Sequence, residues 1–296
     1  MNESLRVRSY AKINWTLDVL FKREDGCHEL RTLLQTISLY DTLRLKRTDG
    51  FIEISCNDPL VPCDETNLVH RAAAALAKET GIKSGASIHI EKRIPVGAGL
   101  GGGSSNAAAT LLALCELWET NVEYRILVKI GASLGSDVPF FLLGGTAIGI
   151  GRGEEVYPTE QVKCSEIALV NPGFSVSTRV VYEKLSRLTR LEAVSIIPVT
   201  LTAANHISEA ALSGINDLEV AALEAYPAIG ALKTKLIKLG AKHALMSGSG
   251  GTVFGVFEND LATDNAVAVF RSEGAWAQRV RTVSRGEYRD TLFEIE

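Results

Sequence analysis

Cysteine, histidine and unbroken apolar or charged stretches are all scarce in this chain of 296 residues. Its five cysteines, at 27, 56, 63, 115 and 164, are odd in number and include no C-x-x-C spacing. That argues against a disulfide scaffold and fits the reduced thiols of a cytoplasmic protein. The five histidines are scattered without metal-ligand spacing, so a histidine-built metal centre is not expected. Near the start stand Glu3, Arg6 and Arg8 rather than an apolar signal core, so no secretion is implied. The most apolar run, 138–151, is too short to span a bilayer and is rich in glycine. Charges of both signs are dispersed and sum to only −4, which speaks against a nucleic-acid surface. No internal repeat or low-complexity segment is present. What remains is a chain with 46% hydrophobic residues, able to bury a substantial core in one or two domains.

Glycine, by contrast, is concentrated. Pro95, Val96, Gly97, Ala98, Gly99, Leu100, Gly101, Gly102, Gly103, Ser104 and Ser105 put five glycines into seven positions, then two serines. Residues 106–118 follow with a helical pattern, Leu111, Leu114, Cys115 and Trp118 falling on one face. A glycine loop running into a helix start leaves backbone N–H groups unpaired, with the positive end of the helix dipole behind them. Such a place suits a phosphate. A flexible linker is the competing reading, but linkers do not feed directly into a well-patterned helix. The loop is not of the Walker type, since no G-x-x-x-x-G-K-[ST] occurs and no lysine lies between Arg93 and Lys129. Gly97, Gly99 and Gly102 do fit G-x-G-x-x-G, which raises a dinucleotide-binding oxidoreductase. Clustered glycines satisfy that pattern easily, Pro95 interrupts the approach from the preceding strand, and no ribose-binding strand with a terminal acid follows.

Residues 5–19 alternate with period two. Leu5, Val7, Ala11, Ile13, Trp15 and Leu17 lie on one side, and Arg6, Arg8, Tyr10, Lys12, Asn14, Thr16 and Asp18 on the other. This predicts one long strand, or two in line, with Tyr10, Lys12 and Asn14 pointing off the core onto a solvated face. A loop at 22–28 leads to strands at 33–40, 42–47 and 51–55. Thr66 or Asn67 caps a helix that runs to about residue 80 and is ended by Gly81. A strand at 87–91 leads to the glycine loop. A second helix, about 123–134, stops at Gly135, Ser136 and Asp137, before an apolar stretch and a strand at 146–150. Asp137 reads equally well as a turn or cap residue and as a carboxylate whose basicity is tuned by apolar surroundings. Beyond residue 155 a strand at 166–171 precedes a helix at 179–187. Short helices follow near 204–211, 217–225 and 228–239. A second glycine-serine cluster at 247–251 then runs into a strand, with a helix at 263–272 and a last strand at 276–283. The fold class is α+β, with an expected N-terminal lobe of 1–158 and a C-terminal α+β lobe of 159–296.

Three separated stretches can be read together. Ala11, Lys12, Ile13 and Asn14 form the first, 95–105 the second, and Leu245, Met246, Ser247, Gly248, Ser249, Gly250 and Gly251 the third. In this order and spacing the chain resembles the GHMP kinases, which include galactokinase and the homoserine, mevalonate and phosphomevalonate kinases. Asp25, Gly26 and His28, with 135–140 and Asn171, Pro172 and Gly173, narrow the resemblance. They are similar to the branch that phosphorylates a cytidine diphosphate-linked sugar alcohol for the non-mevalonate route to isoprenoid precursors. One departure is Cys27, where that branch usually carries an aromatic ring. The resemblance implies a two-lobed fold with the active site in the cleft, a C-terminal lobe of ferredoxin-like type, ATP with Mg²⁺ as cofactor, and a small alcohol as substrate. It implies no nucleic-acid or membrane partner, and a monomer or homodimer. It implies that Lys12 and Asp137 are the catalytic pair, and that Asn14, His28, Thr178 and Tyr182 contact substrate, with His28 and Tyr182 at the cytosine. Pro95 to Ser105 would hold ATP, with Asn67 and Lys92 near the adenine and Ser105 offering a hydroxyl at the helix start. A mevalonate- or homoserine-type alcohol is the alternative substrate.

Overall fold

The computed structural model describes residues 4–188 and 214–294. Two antiparallel strands dominate it, β1 (Ser4–Lys22) and β2 (His28–Thr48), joined by a short loop. In that loop the Asp25 carboxylate accepts from the Cys27 backbone N–H at 3.0 Å. The strands expected at 33–40 and 42–47 are one continuous β2, which carries Asp41 in its interior. A register shift between Tyr10 and Ala11 lets β2 pass an irregularity without breaking.

The first sheet is completed by β3 (Ile52–Cys56), β4 (Gly85–Glu91), β5 (Thr146–Gly151), β6 (Glu155–Pro158) and β11 (Phe293–Glu294). Its order is β11-β1-β2-β4-β3, with β5 on the other half of β2 and β6 beyond it. Four helices, α1 (Leu68–Thr80), α2 (Gly102–Leu117), α3 (Tyr124–Leu134) and α4 (Val138–Leu143), share a core with it. As expected, Asn67 caps α1, accepting from the Val69 N–H, and Gly81 ends it in the left-handed region at φ 70°. The apolar face expected on α2 is an understatement. Ala107, Ala108 and Ala109 are buried along with Leu111, Ala113 and Leu114, so the helix is enclosed nearly all round. Alanine lets neighbouring elements approach its backbone closely, and this fixes the end of the glycine loop.

The second sheet holds β7 (Ile167–Asn171), β8 (His243–Met246), β9 (Val253–Val256) and β10 (Trp276–Val280), all antiparallel, in the order β10-β7-β9-β8. Numbered within the lobe, that is 4-1-3-2, the order of a ferredoxin-like sheet. The helices α5 (Thr178–Leu188), α6 (Leu218–Ala225), α7 (Pro227–Lys238) and α8 (Asp260–Ser272) supply its apolar cover. The helix expected near 204–211 lies outside the described residues. The other face of this sheet, through Ile167, Leu169, Leu245 and Phe254, packs against Ala11, Ile13 and Trp15 of β1.

Two expectations need correction. The even face of β1 is not solvated: Tyr10, Lys12 and Asn14 are each only 3% exposed, because neighbouring elements cover both sides of the strand. The chain's end also leaves the second lobe. Helix α9 (Arg285–Leu292) and β11 return to the first, where Glu294 pairs with Arg6 in register and the Tyr288 hydroxyl donates to the Phe141 carbonyl. Among the described residues, 285–294 therefore belong with the first lobe rather than the second. This ending is short and largely polar, its buried face limited to Tyr288 and Leu292, too little to announce a helix by periodicity.

Candidate active site

The glycine loop is held from below by its few side chains. Ile94, Ala98 and Leu100 are buried, at 1%, 2% and 1% exposure, so the glycine backbone is what faces outward. Gly101, at φ 71°, is the N-cap of α2 and brings no side-chain cap to it. The N–H groups of the first turn are thus left for an anion, with the helix dipole adding to the attraction. A Cβ at Gly101 would come within 2.7 Å of the Phe141 ring. One at Gly99, where φ is +78°, would lie 2.2 Å from the Ser247 carbonyl oxygen and 2.4 Å from that of Gly250. Glycine is required there because the second glycine cluster abuts the first. The Ser247 hydroxyl donates to the Gly99 carbonyl at 3.0 Å, and the Thr252 N–H to that of Ala98 at 3.1 Å.

A cavity of about 380 Å³ lies on one side of the loop. Pro95, Val96 and Gly97 through Ser104 line it, with Asn67, Lys92 and the apolar Leu60, Val61 and Pro62. Asn67 spends both ends of its amide on the wall, accepting from Val69 N–H at 2.8 Å and donating to the Pro62 carbonyl at 2.6 Å. Ser105 is the exception among the expected residues. It is 1% exposed, and its hydroxyl pairs with that of Ser9 at 2.8 Å, so it is turned into the interior. The hydroxyl available at the helix start belongs to Ser104, which lines the cavities on both sides.

On the other side lies a larger cleft of about 640 Å³, built from both lobes. Lys12, Asn14, His28, Asp137, Thr178 and Tyr182 all line it. Lys12 is fixed at both ends. Its backbone N–H donates to the Leu100 carbonyl at 3.0 Å. Its Nζ donates to Asn14 Oδ1 at 2.6 Å and lies 3.6 Å from Asp137 Oδ2. Asn14 in turn donates to the Thr32 hydroxyl at 2.7 Å, which donates to the Thr16 carbonyl at 2.6 Å. Asp137 precedes α4 yet makes no side-chain cap bond, and its side chain is 33% exposed where that of Lys12 is 4%. Of its sequence readings, the helix cap loses its basis: Asp137 sits in the 135–137 turn with its carboxylate towards Lys12 and the cleft rather than on the helix N–H groups.

The far end of the cleft is aromatic. The rings of His28 and Tyr182 lie 5.1 Å apart at 32°, and the hydroxyls of Thr178 and Ser249 are 2.6 Å apart. Burial, reinforced by Lys22, lowers the His28 pKa below 6.5. Burial, with Asp137 and Cys27 adding to it, holds the Tyr182 hydroxyl well above the ordinary phenol range. Cys27 and Arg152 also line this end.

Two residues invisible to sequence reasoning hold the site together. Asn216 donates to the carbonyls of Met246 at 2.9 Å and Gly248 at 2.8 Å, which sets Gly248 against Lys12. Asp41, fully buried, accepts from Lys92 Nζ, from the Arg93 and Ile94 N–H groups and from Asn106 Nδ2. Neither stands in a patterned context, and only the long-range folding of the chain reveals them.

Residues 67–145 match the GHMP kinases N terminal domain, and residues 202–275 match the GHMP kinases C terminal domain. The 4-diphosphocytidyl-2-C-methyl-D-erythritol kinase of Thermodesulfovibrio yellowstonii is 44% identical over 284 residues, covering 94% of this chain and 98% of the relative. The enzyme of the same name from Syntrophus aciditrophicus is 44% identical over 274 residues, covering 92% and 97%. A crystal structure of 4-(cytidine 5'-diphospho)-2C-methyl-D-erythritol kinase matches with a TM-score of 0.78 at 34% identity, over 95% of this chain and all of the other. Homoserine kinase from Cytophaga hutchinsonii, at 19% identity and a TM-score of 0.73 over 96% of each chain, shares the fold.

Proposed function

The chain belongs to the GHMP kinases, and from that premise we propose that it transfers the γ-phosphoryl group of ATP to the 2-hydroxyl of 4-diphosphocytidyl-2-C-methyl-D-erythritol. The observation that carries the reading is the seam. Lys12 and Asp137, 3.6 Å apart, stand where one glycine loop separates a nucleotide-sized cavity from a cleft ending in His28 and Tyr182.

The reaction follows from that arrangement. The triphosphate lies along Gly99 to Ser104, its charge met by the backbone N–H groups of the α2 start. The alcohol enters from the cleft, its pyrimidine against the His28–Tyr182 pair and its diphosphate towards Lys22 and Arg152, both of which line the walls. Its hydroxyl oxygen attacks the γ-phosphorus, the bond from phosphorus to the bridging oxygen breaks, and ADP leaves. Asp137 accepts the hydroxyl proton, while Lys12 balances charge on the transferring group. Asn14 keeps the ammonium aimed, since it occupies one of its three donors at 2.6 Å. Phosphoryl transfer asks chiefly for positioning and charge stabilisation, so a carboxylate of modest basicity suffices. The Ser104 hydroxyl at the helix start is a hard oxygen donor of the kind that Mg²⁺ takes alongside nucleotide phosphates, and it would hold the ion here. The ion would supply neutralisation of phosphate charge.

The test is ADP release from a panel of alcohols at equal concentration. The cytidine compound should turn over, and mevalonate and homoserine should give less than about a hundredth of its rate, because a site built to pair a polar base discriminates strongly. Folded protein that ignores the cytidine compound, or prefers either of the others, would overturn the assignment.

A further inference from the structure

We propose that Asp41 is a positioning residue for the nucleotide, a buried carboxylate that clamps both ends of the glycine loop and sets the Lys92 ammonium beside the α2 start. This rests on the reading that the glycine loop takes ATP.

A loop with so many glycines is entropically expensive to hold in one shape. Something must restrain it, and the contacts around Asp41 do so at both ends. Before the loop, Oδ1 accepts from the Arg93 N–H at 2.7 Å and the Ile94 N–H at 2.9 Å. After it, Oδ2 accepts from Asn106 Nδ2 at 2.9 Å. Asn106 also donates to the Ser9 hydroxyl at 2.8 Å, and Ser9 is the cross-strand neighbour of Asp41. One pair of facing strand residues thus ties the entry of the loop to the first turns of the helix beyond it.

The second half of the device is charge. Lys92 Nζ, 6% exposed, pairs with Asp41 Oδ2. The same nitrogen lies only 3.0 Å from where a Cβ would stand on Gly102, so it occupies the space beside the first residue of α2. Lys92 and Asn106 both line the nucleotide-sized cavity. A buried carboxylate requires a partner, and here the partner borders the phosphate cradle. A lysine that only neutralised Asp41 could lie anywhere in the interior. This one is aimed by Asp41 at the helix end.

Asp41→Asn keeps the shape, but turns an amide N–H₂ towards Lys92 and Asn106, leaving the ammonium without its counter-charge. Calorimetry with ATP and AMP, and steady-state KM values for ATP and the alcohol, read the effect. Asp41→Asn should weaken ATP binding about tenfold and AMP much less, with the alcohol KM changed by no more than about twofold. Asn106→Ala, which leaves the Asp41–Lys92 pair in place, should raise the ATP KM in the same selective way by a smaller factor. It carries the test if Asp41→Asn does not fold. Equal loss for ATP and AMP, or for ATP and the alcohol, would reduce Asp41 to a fold residue. Unchanged ATP binding in a folded variant would overturn the proposal outright. Failure of the unaltered protein to bind ATP would instead sink the kinase reading beneath it.

Discussion

The two sides of the active site are built on opposite plans. The nucleotide side is built mainly on one continuous stretch, 95–104, which offers backbone N–H groups, with 60–62, Asn67 and Lys92 completing the wall. The alcohol side is assembled from side chains on β1, the β1–β2 loop, the 135–137 turn, α5 and the second glycine cluster. A backbone site can be specified locally by glycine, since its chemistry is that of the peptide group. A side-chain site needs distant parts of the chain brought within a few ångströms, and this requires both lobes. Asp137 and Lys12 belong to neither plan alone, for they meet where the two sides touch.

The largest effect should come from cutting that seam. Asp137→Asn is expected to lower kcat by about 10³-fold, the scale of a lost general base, while the ATP dissociation constant stays within about twofold. Turnover that survives would return Asp137 to a turn residue and dissolve the distinction at its centre. Next in size is Gly99→Ala. The methyl would meet the Ser247 carbonyl at 2.2 Å in a left-handed conformation, so the two glycine clusters must separate. Stability should fall by about 2–4 kcal/mol, read from denaturant melts, with ATP binding lost more steeply than alcohol binding. Equal losses would mean that the two sides are one mechanical unit. The smallest effect is a pH response confined to the alcohol side. His28 is held neutral by burial, its pKa below 6.5 in the folded protein, so it binds fewer protons than the unfolded chain as pH falls. Protonation then works against the native state. The alcohol KM should stay flat from about pH 8 to 6.5 and rise a few-fold only below it, together with a decline in stability. An ATP KM that rose in parallel would contradict the separation.

Much of the fold was legible because its signals are local. The cap at Asn67, one of two candidates, and the stop at Gly81 appear where residue type alone puts them, while the strand expected at 87–91 begins two residues earlier and the helix read from 106 already starts at Gly102. The alternation on β1 marked its odd residues as core, and Ala11, Ile13 and Trp15 are fully buried. Its even face was misjudged. Period-two patterning distinguishes polar from apolar sides, but cannot tell a polar face left to solvent from one folded into a cleft. Ser105 and Ser104 were exchanged for a similar reason. Adjacent residues at a helix start point about 100° apart, and which one faces the ligand depends on the helix's rotation against β1.

By itself, then, the sequence determined the chemistry that depends on backbone: where a phosphate could sit, which loop carries it and which helix end backs it. It also supplied Lys12, Asn14 and Asp137 as residue types able to move a proton and balance charge. Only the tertiary structure decided that they meet, that Ser104 rather than Ser105 is available, that the chain's end closes the first sheet, and that Asp41 and Asn216 brace the two glycine clusters. The reason is one of range. Conformational preferences act over a few residues, whereas a hydrogen bond from Asn106 to Asp41 spans 65 positions and exists only once the core has packed.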